Sequence, residues 1–350
     1  MTGATMKTIP QLVLLLCVTF ATSSGFAQDS ILLNRSGRGS TILGRITETS
    51  KTDITVSVSG DPQKVAANEI KRLNLASEPG GLRSARNSVL AGQFEQALDS
   101  LENIRGERST SGIIKAEIAF YRAFCRAQVA LRGSGDAKDA ARELVEFLRE
   151  NRESFHYYEA VEALGQLALA TGEYEAAVRY YDELAKAPWP EYQLKARSLQ
   201  AQALRADRKP QEALQRFDEV LSSSINDAQA ARQKAIASAG KAACLAELGK
   251  TDEAIQLAEQ IMASNDPTDA DLFAPCYIAL GTAYRKSGKT LDAALAYLHV
   301  DIIYFAERDA HAEALFYLSD LWTELKHPNR ALEAKTMLRS RYGGTVWAKM

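Results

Sequence analysis

Histidine and cysteine are scarce, four of each in 350 residues, and none stands at a metal-ligand spacing. There is no His-Glu-x-x-His pair and no Cys-x-x-Cys, the arrangements that bring ligands together on one helix face or in one turn. His311-x-Glu313 has half the shape of a zinc-deaminase motif, but Pro275-Cys276 lies on its N-terminal side and lacks the second cysteine. A Gly-x-Ser-x-Gly elbow is missing, so no serine is marked as a nucleophile. Gly249-Lys250-Thr251 and Gly288-Lys289-Thr290 imitate the end of a phosphate-binding loop, yet the glycine required five residues earlier is Cys244 in one and Ala283 in the other. Gly37, Gly39 and Gly44 miss the dinucleotide spacing by two residues. No catalytic, cofactor or metal residue is assigned, and the chain reads as a non-enzyme.

A surplus of charge is also missing. Forty-two basic residues face 44 acidic ones, a net charge of −2, so no strong field draws the chain to nucleic acid. Beyond the N-terminus no segment approaches the roughly 18 consecutive apolar residues that a membrane span needs.

What the chain does have is a recurring local pattern. Gly92-x-Phe94-x-x-Ala97, Gly135-x-Ala137-x-x-Ala140, Gly172-x-Tyr174-x-x-Ala177, Gly249-x-Thr251-x-x-Ala254 and Gly288-x-Thr290-x-x-Ala293 are clear copies. Arg208-x-Pro210-x-x-Ala213 and Lys326-x-Pro328-x-x-Ala331 are worn ones. The marked alanines lie 43, 37, 36, 41, 39 and 38 residues apart, a period of stacked helical hairpins. In the third unit Val161, Leu164, Ala168 and Leu169 recur at helical spacing, Gly172 stops the helix, and Ala177, Val178, Tyr181 and Leu184 mark one face of the next. A small residue at the crossing lets two helix backbones approach, and the aromatic four residues later fills the space beside it.

Tyr277-x-x-Leu280-Gly281-x-x-Tyr284 followed by Gly288, Ala293 and Tyr297 resembles the tetratricopeptide repeat (TPR) signature, and Val161-x-x-Leu164-Gly165 with Gly172, Ala177 and Tyr181 is a second copy. The resemblance spans roughly residues 80–342, with a period longer than the family's usual length of about 34. It implies a mainly α protein, a right-handed solenoid of about seven TPR-like hairpins over residues 79–350. Residues 342–348 and 150–158 resemble the unit-to-unit connections of exported bacterial cell-envelope TPR proteins.

Two segments precede the repeats. Residues 1–27 carry Lys7, an apolar stretch at 12–20 and small residues at Gly25 and Ala27, the pattern of a secretory signal peptide. Its removal deletes one basic residue and leaves Cys125, Cys244 and Cys276, which read as buried filler within helices. Residues 28–78 hold short runs rich in Ile, Val and Thr separated by turn residues, and read as a small β module, either an SH3-like barrel or an open meander.

Function is therefore expected on a surface. The TPR resemblance implies a protein-binding scaffold that takes a peptide or partner protein in its concave groove, exported to the periplasm or cell envelope. A carbohydrate- or peptidoglycan-binding envelope protein using Trp189 and the β module is the alternative. Counting back from the alanines, the concave face carries Glu162, Gln166 and Leu169, then Gln202 and Arg205, then Ile278, Thr282 and Arg285, then Phe316, Asp320 and Thr323. The polar members Glu162, Gln166, Gln202, Arg205, Thr282, Arg285 and Asp320 are the candidate partner-binding residues. Arg205 and Arg285 lead, because a planar guanidinium can hold a carboxylate or backbone carbonyls of an extended peptide.

Overall fold

Every one of the seven expected turns contains a residue with the left-handed backbone that a tight helix stop demands. Gly92, Gly135, Gly172, Gly249 and Gly288 all have positive φ, and so do Arg208 (63°) and Lys326 (62°) in the worn copies. The amide after such a residue then reaches back to a carbonyl five positions earlier: Glu173 N donates to Ala168 O at 2.8 Å, and Lys209 to Leu204 and His327 to Trp322 repeat the bond. Geometry is thus kept where glycine is not. A side chain in this conformation costs about 1 kcal/mol, which the packed helices on either side overcome. The second unit differs, since Gly133 (φ 91°) makes the stop and Ser134 donates to Val129 O, two residues before the motif glycine Gly135.

The computed structural model describes residues 28–34, 39–104 and 111–350, so the expected signal segment 1–27 lies outside the described residues. Five strands come first: β1 Asp29–Leu33, β2 Thr41–Thr49, β3 Asp53–Val58, β4 Asp61–Ala66 and β5 Ile70–Asn74. All pair antiparallel in the order β4-β3-β2-β1-β5. This is a meander whose fifth strand returns, after a 3-10 turn at Ala67–Glu69, to the free edge of β1. β4 and β5 are the two ends of the order, so the sheet is not closed by hydrogen bonds. The hairpin between β3 and β4 turns at Ser59 and Gly60, both with positive φ, and Pro62 sits in the edge strand where its missing N–H is harmless.

Helices then pair into seven hairpins. These are α1 Gly80–Leu90 with α2 Phe94–Glu102, α3 Gly112–Leu131 with α4 Ala137–Glu150, α5 Tyr157–Thr171 with α6 Tyr174–Leu184, and α7 Pro190–Ala206 with α8 Pro210–Leu221. α9 Ala228–Glu247 with α10 Thr251–Ser264, α11 Ala270–Lys286 with α12 Thr290–Ile302, and α13 Arg308–Glu324 with α14 Pro328–Tyr342 follow, and a short α15, Val346–Lys349, ends the chain. The seven marked alanines are all buried. First helices touch first helices, as α3 with α5, α7 with α9 and α9 with α11, whereas each second helix packs chiefly on its two sequence neighbours. The first helices therefore form the inner ring.

Within the hairpins, small residues are met by rings. A Cβ placed on Gly281 of α11 would lie 2.7 Å from Cζ of Tyr297 on α12, and Gly165 stands in the same relation to Tyr181. Apolar packing also runs across residue 78: Ile31, Ile54, Val56 and Leu73 of the sheet share one buried cluster with Leu82 of α1 and Phe120 of α3.

Gly281→Val should overpack this crossing and lower stability by about 1–3 kcal/mol, read as a shift in the urea midpoint. Gly112→Ala, where a Cβ would meet nothing within 4 Å, should leave the midpoint within about 0.5 kcal/mol of the parent.

Candidate functional site

The inner ring curves tightly enough for helices more than a hundred residues apart to meet across it. Arg205 on α7 places Nη1 2.8 Å from Glu247 Oε1 on α9 and 2.9 Å from Glu313 Oε2 on α13. The chain's end closes the same gap, since Val346 N donates to Tyr174 Oη at 3.2 Å and the Arg208 guanidinium lies 4.8 Å from the centre of the Trp347 ring. A channel is enclosed between these crossings.

It holds two adjoining cavities. The central one, about 500 Å³, is lined from α5, α7, α9, α11 and the start of α13, and the second, about 390 Å³, lies between these helices and the sheet. Glu162, Gln166 and Lys195 border both. These volumes fall in the range of natural ligand sites. Apolar wall is supplied to the central cavity by Leu199, Ile236, Pro275 and Trp347, and polar groups by Ser198, Gln202 and Gln233. Most charges are already paired: Lys195 with Glu162 at 2.7 Å, and Arg232 with Asp269 and Asp271. Among the described residues Glu307 and Asp309 have no such partner. Burial pushes Glu307 up to about 7, helped by Asp271 and Asp309, and raises Asp309 against the pull of Arg205 and Arg308. Burial also pushes Glu313 up to about 7, with Arg205 opposing the rise.

A buried chain of charges forms the wall between sheet and helices. Arg86 on α1 joins Glu78 to Glu117, and His156 joins Glu117 (3.0 Å) to Glu159 (2.8 Å) while its ring stacks on Phe120 at 3.7 Å. Burial alone would keep the imidazole neutral, but Glu117 and Glu159 outweigh it and push its pKa up to about 9. Trp189 is half-buried at the same wall, its ring against Tyr158 and Tyr192. Cys125, Cys244 and Cys276 are buried free thiols, pushed by burial up to about 12. No group of His, Cys, Asp and Glu able to hold a metal occurs among the described residues, and no described helix is long and apolar enough to cross a membrane.

The tetratricopeptide repeat family pattern matches residues 129–192 and 198–270, which contain α4, α5, α6, α8, α9 and α10 whole. These units are tetratricopeptide repeats. A tetratricopeptide repeat protein from Parabacteroides merdae shares 16% identity, covering 75% of this chain and 91% of its own, with a TM-score of 0.52. Rap protein, solved in complex with Competence and Sporulation Factor, shares 12% identity over 76% of each chain with a TM-score of 0.51. At such identity the likeness concerns the fold. Comparison of the sequence with curated proteins gives no match.

On this TPR frame four of the seven candidate residues converge. Glu162, Gln166, Gln202 and Arg205 line the central cavity. Thr282 does not: it is 2% exposed and its Oγ1 lies 2.8 Å from Tyr297 Oη, so it belongs to the hairpin crossing next to Gly281. Leu169 and Ile278 are buried likewise. Arg285 is exposed over the Tyr317 ring at 4.4 Å, and Asp320 is exposed; neither lines the cavity. Arg205 reaches the cavity but already holds two carboxylates, so it is not free for a ligand and its reversal to Glu would leave three buried acids together. Lys195 and Ser198 extend the Gln202–Arg205 face by two turns of α7, a spacing readable in the sequence. Glu307 and Asp309 had no such signal, because they stand at the start of α13, the one as its N-cap and the other in its first turn, which only the curvature brings opposite α7.

The sign of the histidine's contribution follows from linkage. A histidine whose pKa is raised on folding stabilises fully below its unfolded value near 6.5, and the gain disappears as pH climbs through about 9. The stability difference between the parent and His156→Gln should therefore be largest below pH 6.5 and shrink by pH 9, measured by denaturant unfolding across that range.

Proposed function

We propose that this chain is a non-catalytic adaptor that takes a segment of a partner protein into its concave channel. The observation that carries this reading is the central cavity itself. Rigid first helices supply both apolar and polar wall, so that a chain passing through finds burial for its side chains and partners for its backbone groups. The TPR-fold Rap protein was solved holding a factor, which supports the same use of this architecture. In this reading residues 28–78 form a small β module that closes one side of the channel and residues 79–350 form the solenoid. Residues 1–27 act as a signal peptide, and the protein works in the periplasm or cell envelope.

Two measurements test the reading. A photo-crosslinking amino acid placed at Gln202 should trap a partner in intact cells, and one placed at the exposed Glu253 on α10 should not; equal trapping at both would move the binding surface away from the channel. The mass of the exported protein should correspond to a new N-terminus within a few residues of Gln28, whereas retention of Met1 would sink the export reading.

A further inference from the structure

Ion pairing around the central cavity is uneven. Lys195 is held by Glu162, Arg205 by Glu247 and Glu313, and Arg232 by Asp269 and Asp271. Arg308 is turned toward the last hairpin, its Nη2 donating to the Arg341 carbonyl at 3.3 Å and its guanidinium 5.1 Å from the centre of the Tyr342 ring. Among the described residues neither the Glu307 nor the Asp309 side chain makes a hydrogen bond or ion pair, although Arg205 and Arg308 attract Asp309 from a distance. Four cations and four carboxylates line the cavity, and Glu247, Glu313 and Asp269 from outside it also engage Arg205 and Arg232, so those cations are taken while Glu307 and Asp309 stay unpaired.

A second feature points the same way. Ser198 borders this cavity from α7, is 2% exposed, and its Oγ has no hydrogen-bond partner. Buried hydroxyls are normally satisfied, because an unmade hydrogen bond costs about 1–3 kcal/mol. On α13, Glu313 Oε1 is also buried without a partner, while its other oxygen accepts from Arg205. The unpartnered Ser198 hydroxyl and the unpaired Glu307 and Asp309 carboxylates, beside Leu199, Ile236 and Trp347, form a receptor for a cation carried on an apolar stem.

We infer that the central cavity selects a basic side chain, lysine or arginine, in the bound segment, with Glu307 and Asp309 as its counter-charges. This rests on the peptide-binding reading above and names the chemistry of the occupant. It inverts the expectation from sequence, in which Arg205 would hold an acidic group of the ligand.

Asp309 lies in the first turn of α13, where a carboxylate is also favoured by the helix end. The experiment must separate the two roles. A random dodecapeptide phage library is selected on the full chain and on the Glu307→Gln/Asp309→Asn variant. The parent should enrich peptides sharing a lysine or arginine, and a synthetic arginine-containing binder should lose about tenfold or more in affinity when that arginine becomes citrulline. The variant should lose the basic enrichment and bind both forms alike, while melting no lower than the parent, because unpaired buried carboxylates oppose folding. A purely capping role predicts a lower melting temperature with enrichment unchanged. Peptides enriched on the parent without a basic residue would overturn this inference alone, and no enrichment at all would overturn the peptide-binding reading with it. Should the double variant fail to fold, Glu307→Gln alone decides by the same comparison.

Discussion

Close approach of two helices at a small residue is the constraint on which the molecule depends. Gly165 against Tyr181 and Gly281 against Tyr297 leave no room for a Cβ, and the buried alanines at 177 and 293 complete the same crossings. Such proximity is possible only if the intervening turn is very short. That is why a left-handed residue recurs at each stop, and why Arg208 and Lys326 accept that conformation where glycine is absent.

Repeated seven times, one hairpin geometry produces a curve, and the curve produces an interior. The ring closes far enough for α7 to meet α13, and there a half-buried Arg205 between Glu247 and Glu313 fixes the distance across the channel. An arginine in that position is costly to desolvate and is kept by its two partners; removing it would strand both acids. The sheet fulfils a similar role at the other end, where Ile31 and Leu73 share a core with Phe120 and the Glu78–Arg86–Glu117–His156 chain joins the two parts.

Buried polar atoms without a partner among the described residues are spread over the frame: Asn68 Oδ1, Arg72 Nε and Arg86 Nε belong to residues of the sheet-side cavity, Tyr181 Oη and Glu313 Oε1 to the helix packing, and Ser198 Oγ to the central cavity. The central cavity differs in adding two unpaired carboxylates, Glu307 and Asp309, whereas the cations nearby are nearly all engaged. A scaffold that pairs its ions elsewhere and leaves acids without partners here carries an incomplete set of interactions, which an entering cation completes.

Local order was largely legible in the sequence, because it depends on neighbours within one hairpin. Turn residues and crossing alanines need only residues a few positions apart, and they are found where the pattern placed them except in the second unit, where Gly133 and not Gly135 stops the helix. The concave face was legible in part. Glu162, Gln166, Gln202 and Arg205 reach the channel because helical periodicity assigns a face, while Thr282 did not because the same periodicity cannot separate a hydroxyl that caps a buried tyrosine from one that meets solvent. The charge of the site belongs to the tertiary structure alone. Whether Arg205 was a free cation depended on Glu313, 108 residues away. Whether Glu307 and Asp309 faced a ligand depended on the cumulative curvature of the units between, and the period of the repeat does not encode that angle.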